Sequence, residues 1–178
     1  MRSFVVALIG VVAFASGVML GFKLDSGDES TTTSETPAGG LPAAVEETRA
    51  ALLAAAESGD YEAVGRLIPA QGGFRYTFGG PVDGGPIAYW RQLEKNTSER
   101  PLEALAAALR MPYTLSRGFY FWPFAYDVAD VDDLSPHERK LLAPLGPLDR
   151  LFVKGTGYLG WRAGIAPDGT WAFFVAGD

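Results

Sequence analysis

The chain holds no cysteine and a single histidine, His137, among its 178 residues. Without cysteine there are no disulfides, thiolate metal ligands, cysteine nucleophiles or thioether-linked lipid anchors. A nucleophilic triad has only one imidazole to draw on, and no Gly-x-Ser-x-Gly elbow accompanies it. His137 lies within Ser135-Pro136-His137-Glu138, a capping-box sequence with proline at the first helical position, and reads as an exposed helix-start residue. No second histidine follows it, so the zinc-helix motif is absent. Basic residues are also in the minority: 15 Lys and Arg face 21 Asp and Glu, a net charge of −6. A nucleic-acid binder needs a basic footprint against phosphate, so that class is excluded. No Walker loop is present, Gly155-Thr156-Gly157 precedes a strand rather than a helix and so lacks the helix dipole that a phosphate site uses, and no cofactor is expected.

What is present divides into three regions. Ser3 to Phe22 is an uncharged run closed by Arg2 and Lys23. As a helix rising about 1.5 Å per residue it matches the hydrocarbon thickness of a bilayer. We expect residues 1–23 to be a single-pass membrane anchor contacting lipid through 3–22. The competing reading is a signal peptide cut after Ala13-Phe14-Ala15, which leaves a very short leader and an apolar new terminus. Ala13, Gly17 and Gly21 recur every fourth residue, a spacing that brings two membrane helices close and suggests a homodimer. The two-residue head favours an orientation with the rest of the chain outside the cytoplasm. Residues 24–41 carry four acids and no base, with Ser30-Thr31-Thr32-Thr33-Ser34 and Gly39-Gly40, and read as a disordered acidic linker. Residues 42–178, with 13 bases against 17 acids, are long enough for one core.

Within 42–178 the hydrophobic periodicity predicts an α+β fold, helices first and an antiparallel sheet last. Leu41, Val45, Thr48, Leu52 and Ala56 repeat at helical spacing, Asp60 caps a short second helix, and further helices are expected over 86–95, 101–110 and 135–142. Strands are expected at Phe74–Phe78, Phe119–Trp122 and Leu151–Val153. A C-terminal hairpin is expected from Tyr158–Ile165 and Thr170–Ala176 around Ala166-Pro167-Asp168-Gly169. Alternation puts Leu159, Trp161, Ala163 and Ile165 on one face and Tyr158, Gly160, Arg162 and Gly164 on the other, with Trp171, Phe173 and Val175 continuing the apolar face. This order, a leading helix pair and a closing hairpin, resembles the cone-shaped NTF2-like fold. The resemblance implies a curved sheet wrapped around a long helix with a pocket between them.

The candidate chemistry is sparse. Asp127, Asp130, Asp132 and Asp133 cluster, but Leu134 stands where a calcium loop needs a further ligand, so the run reads as solvated acids before a helix. A carboxylate-dependent envelope hydrolase would draw on acids such as Asp60, Asp83 and Asp127, and no pair of them stands out. Aromatics are more informative. Of 22, 19 lie beyond the linker, and several flank arginine: Phe74-Arg75-Tyr76, Trp90-Arg91, Arg117-Gly118-Phe119-Tyr120 and Trp161-Arg162. If Arg75 and Arg162 share a sheet face with Tyr158, the three line a site for an anionic small molecule or a glycan. The bland alternative is an aromatic core with arginines lying over it. The expected function is thus non-catalytic ligand or partner binding at the envelope, through Arg75, Tyr158 and Arg162. A hydrolase and a homo-oligomeric scaffold component are the alternatives.

Overall fold

The computed structural model describes residues 40–80 and 82–177. The expected anchor, its Ala13, Gly17 and Gly21 stripe and almost all of the acidic linker lie outside the described residues. Among the described residues, no helix is long and apolar enough to cross a membrane.

The chain is α+β. Helices α1 (Ala43–Glu57), α2 (Tyr61–Arg66), α3 (Gly85–Asn96) and α4 (Pro101–Leu109) come first. Strands β1 (Thr114–Ser116) and β2 (Phe119–Trp122) follow, then α5 (Pro136–Leu142) and α6 (Leu148–Leu151). The chain closes with β3 (Phe152–Val153), β4 (Gly157–Tyr158), β5 (Arg162–Ile165) and β6 (Trp171–Val175). The main sheet is antiparallel with order β1-β2-β5-β6, and β3 and β4 form a separate ribbon.

The helices start where local chemistry provides for their orphan amides. The Asp60 carboxylate accepts from the Glu62 and Ala63 amides at 2.9 and 3.0 Å. Ser135 and Glu138 complete a reciprocal capping box at α5, with His137 exposed beside them. Long-range bonds help to seat α1. Arg49 donates to the Leu109 carbonyl at the end of α4 (2.8 Å), and Thr48 donates to the Gly169 carbonyl in the closing turn (2.7 Å).

One face of the sheet carries the larger core. Trp122, Trp161, Ala163, Ile165, Trp171 and Phe174 point toward Val45 and Leu52 of α1, Trp90 of α3 and Leu105 and Leu109 of α4. Burying each large side chain contributes about 2 kcal/mol relative to exposure. The rings interlock, Trp161 on Phe174 at 4.6 Å between centroids and Trp90 on Phe174 at 5.4 Å. A second, smaller core gathers Met111, Phe124, Leu134, Leu142, Leu151, Phe152 and Tyr158.

Three expectations are corrected. Phe74–Phe78 is not a strand: only Arg75 pairs, through a parallel bridge to Phe173. Tyr158–Ile165 is not one strand. The break at Leu159–Trp161 divides it, so Tyr158 pairs with Phe152 in the small ribbon. Strict alternation also fails on β6. Gly164 pairs with Phe173 and Ile165 with Trp171, which leaves Ala172 as an extra residue. The resulting bulge inverts the pattern beyond it. Trp171 and Phe174 enter the core, while Phe173 and Val175 go to the opposite face.

Candidate functional site

That opposite face carries no helix of the larger core, yet it is aromatic. Phe119 and Phe121 of β2 and Phe173 and Val175 of β6 lie on it, and with Arg162 of β5, Tyr126, Phe78, Arg75 and Arg117 they line a cavity of about 450 Å³. Such a volume falls in the range of small-ligand pockets, roughly 300–1,000 Å³. Phe121 stacks on Tyr126 at 3.7 Å and 13°, and Phe173 leans on Phe121 at 5.1 Å and on Phe119 at 6.3 Å. Gly164 makes this possible. The Phe173 ring lies across the strand at Gly164, and a Cβ there would collide with it.

Each arginine reaches the cavity by a different route. Arg75 is held by its backbone: its amide donates to the Ala172 carbonyl (3.1 Å) and its carbonyl accepts from the Phe174 amide (2.9 Å). Its side chain is exposed. Arg117 occupies the two-residue turn between β1 and β2, with φ +50° followed by Gly118 at φ +81°. Both values belong to the left-handed region that a tight hairpin of this twist requires. Arg162 is 7% exposed and rises from the centre of the sheet. It donates to the Gly160 and Gly177 carbonyls at 3.2 and 2.6 Å, and its Cζ sits 5.4 Å from the Phe78 ring centre. Among the described residues, neither Arg75 nor Arg117 forms an ion pair, and no carboxylate side chain lines the cavity.

Of the three expected site residues, Arg75 and Arg162 line this cavity and Tyr158 does not. Tyr158 is 4% exposed in the smaller core, where its hydroxyl donates to the Trp161 carbonyl at 3.0 Å. Burial pushes its pKa up, against the opposing charge of Arg162. Arg117 joins the site in its place. The sequence marks it only as an arginine beside aromatics, because its position depends on the hairpin register. Arg91, flagged the same way, lies elsewhere, paired with Glu62 at 2.9 Å over the Tyr61 ring.

The acids do not converge. Asp60 caps α2, Asp127 accepts from the Thr114 hydroxyl (2.7 Å), Asp130 and Asp133 cap each other's turn, and Asp83 is exposed. No described group of three His, Asp or Glu side chains is placed to hold a metal ion. The described carboxylates with a displaced proton affinity, Glu46, Glu138 and Asp168, are all displaced downward by hydrogen bonds from Arg49, Ser135 and Thr170 respectively. A second cavity of about 550 Å³ lies where α3 and α4 meet Leu159–Trp161. There Glu99 accepts from the Trp161 indole at 2.7 Å, and Arg100, Glu103 and Arg150 mix both signs of charge. The chain matches no known family model, no curated protein and no solved structure.

Proposed function

We propose that the protein is a membrane-anchored, extracytoplasmic binding module that holds an anionic ligand without transforming it. The observation that carries this reading is the cavity on the outer sheet face: Arg75 and Arg117 at its rim, Arg162 at its base, aromatic walls and, among the described residues, no lining carboxylate. Guanidinium groups over aromatic surface recognise anions through charge-assisted hydrogen bonds strengthened by the apolar walls.

The cone-like arrangement suggested by the element order would place a ligand between sheet and leading helix. Here Leu52, Leu105, Trp122, Trp171 and Phe174 fill that space, so we assign the ligand to the other face. Anchoring by residues 3–22 rests on the uncharged run closed by Arg2 and Lys23.

The binding test is titration of the full chain, in nanodiscs of neutral lipid, with phosphate, citrate and aryl carboxylates. We expect at least one anion to bind in a salt-sensitive manner, and binding to fall in the double variant Arg75→Gln/Arg117→Gln. No anion binding to the native chain would overturn the reading. Topology is checked separately by protease treatment of intact cells or spheroplasts. Digestion of the domain alongside an external marker is expected, and protection of the domain would sink the extracytoplasmic placement.

A further inference from the structure

Resting on that anion-binding reading, we infer that the ligand is an aryl anion: a flat apolar ring system bearing a carboxylate, sulfonate or phosphate. A sugar hydroxyl is a donor as well as an acceptor and needs partners of both kinds. The cavity has guanidinium donors and the Tyr126 hydroxyl, and no carboxylate, amide or imidazole side chain among its described residues. All of these side chains but Tyr126, whose hydroxyl both donates and accepts, only donate, so they favour a head group that accepts. This favours the small molecule over the glycan.

The walls then select the body. Among the described residues, four phenylalanines and one tyrosine line the cavity, and the aliphatic members are Ala172 and Val175. Pockets for flexible alkyl chains gain from adaptable aliphatic side chains. Fixed ring faces and edges instead reward another ring, which also offers its π-surface to a guanidinium.

Three independent local features converge on this surface. The bulge at Ala172 turns Phe173 out of the core. Gly164 leaves room for that ring to cross the sheet. Arg117 occupies a left-handed turn position that disfavours a residue of its shape. Each departs from the locally easier choice, and each equips the same cavity. Such departures concentrate at functional sites.

The test is isothermal titration of the full chain in neutral nanodiscs, corrected with empty nanodiscs, using 2-naphthoate, octanoate, glucuronate and the neutral 2-naphthalenemethanol. We expect 2-naphthoate to bind most tightly, by roughly five-fold over octanoate from ring contacts and by about ten-fold over glucuronate. The neutral alcohol is expected to bind weakest. Phe173→Ala should abolish the preference for naphthoate over octanoate while leaving residual anion binding. If that variant fails to fold, Phe78→Ala, which removes an exposed rim ring, carries the same expectation. Equal affinity for naphthoate, octanoate and glucuronate would overturn the aryl assignment and leave the anion reading standing. Failure of every anion to bind, or equal binding of the neutral alcohol, would overturn both.

Discussion

Arg117→Asn should make the protein more stable and a poorer binder at once. Arg117 has φ +50° and Gly118 φ +81°, and Ser116 pairs directly with Phe119 across the turn. For a residue with an ordinary side chain the left-handed conformation costs roughly 1–2 kcal/mol. Asparagine tolerates it because its short amide bonds locally, and Asn-Gly is the preferred pair in this turn. Arg117 makes no ion pair among the described residues, so no such compensation is lost. The gain is therefore about 0.5–1 kcal/mol, or ~3 °C in Tm for a domain of this size. Loss of one partly desolvated charge contact should weaken anion binding about five-fold, equivalent to ~1 kcal/mol. Differential scanning fluorimetry and titration with 2-naphthoate on the same preparation give both numbers. Arg117→Lys is the control: it keeps charge and backbone cost, so its Tm should stay within about a degree of the parent. An Asn variant that melts lower than the parent, with affinity unchanged, would refute both halves of the reasoning.

Other substitutions separate the site from the scaffold. Gly164→Ala should cost about 1–3 kcal/mol through overpacking against Phe173 and weaken binding in the same titration; an unchanged Tm would show that the ring is not where the structure places it. Tyr158→Phe should lower stability by about 1 kcal/mol in chemical denaturation, by leaving the Trp161 carbonyl unpaired, with ligand affinity untouched. Affinity loss there would return Tyr158 to the site. The Glu46 and Glu138 carboxyls have folded pKa values below their unfolded ones. Their stabilisation is thus full above the ordinary glutamate pKa and is lost as pH falls through the folded values. Glu138→Gln should flatten the acid limb of a Tm-against-pH curve, and an unaltered limb would show that the capping box carries no linkage.

The legible parts of the fold are those governed by near neighbours. Asp60 and the Ser135–Glu138 box satisfy amides within three residues, so their residue types announce helix starts. The Ala166–Gly169 turn is equally local, with Gly169 at φ +88° and its amide on the Ala166 carbonyl. That Arg75 and Arg162 border one cavity was half legible, since both sit among aromatics. Tyr158 misled because alternation was carried through a break that only the ribbon of β3 and β4 creates. Phe173 misled for a related reason. Adding one residue to a strand reverses every later side chain, and nothing in Trp171–Val175 announces which residue is extra.

Composition and local spacing were sufficient for the α+β class, the helix starts, the closing hairpin and the absence of familiar catalytic motifs. Register, bulge and strand break were decided by tertiary structure, because they depend on which distant backbone groups pair. Those choices determine which side of the sheet receives Phe173. They also determine that Arg75, Arg117 and Arg162, far apart in the chain, border one cavity.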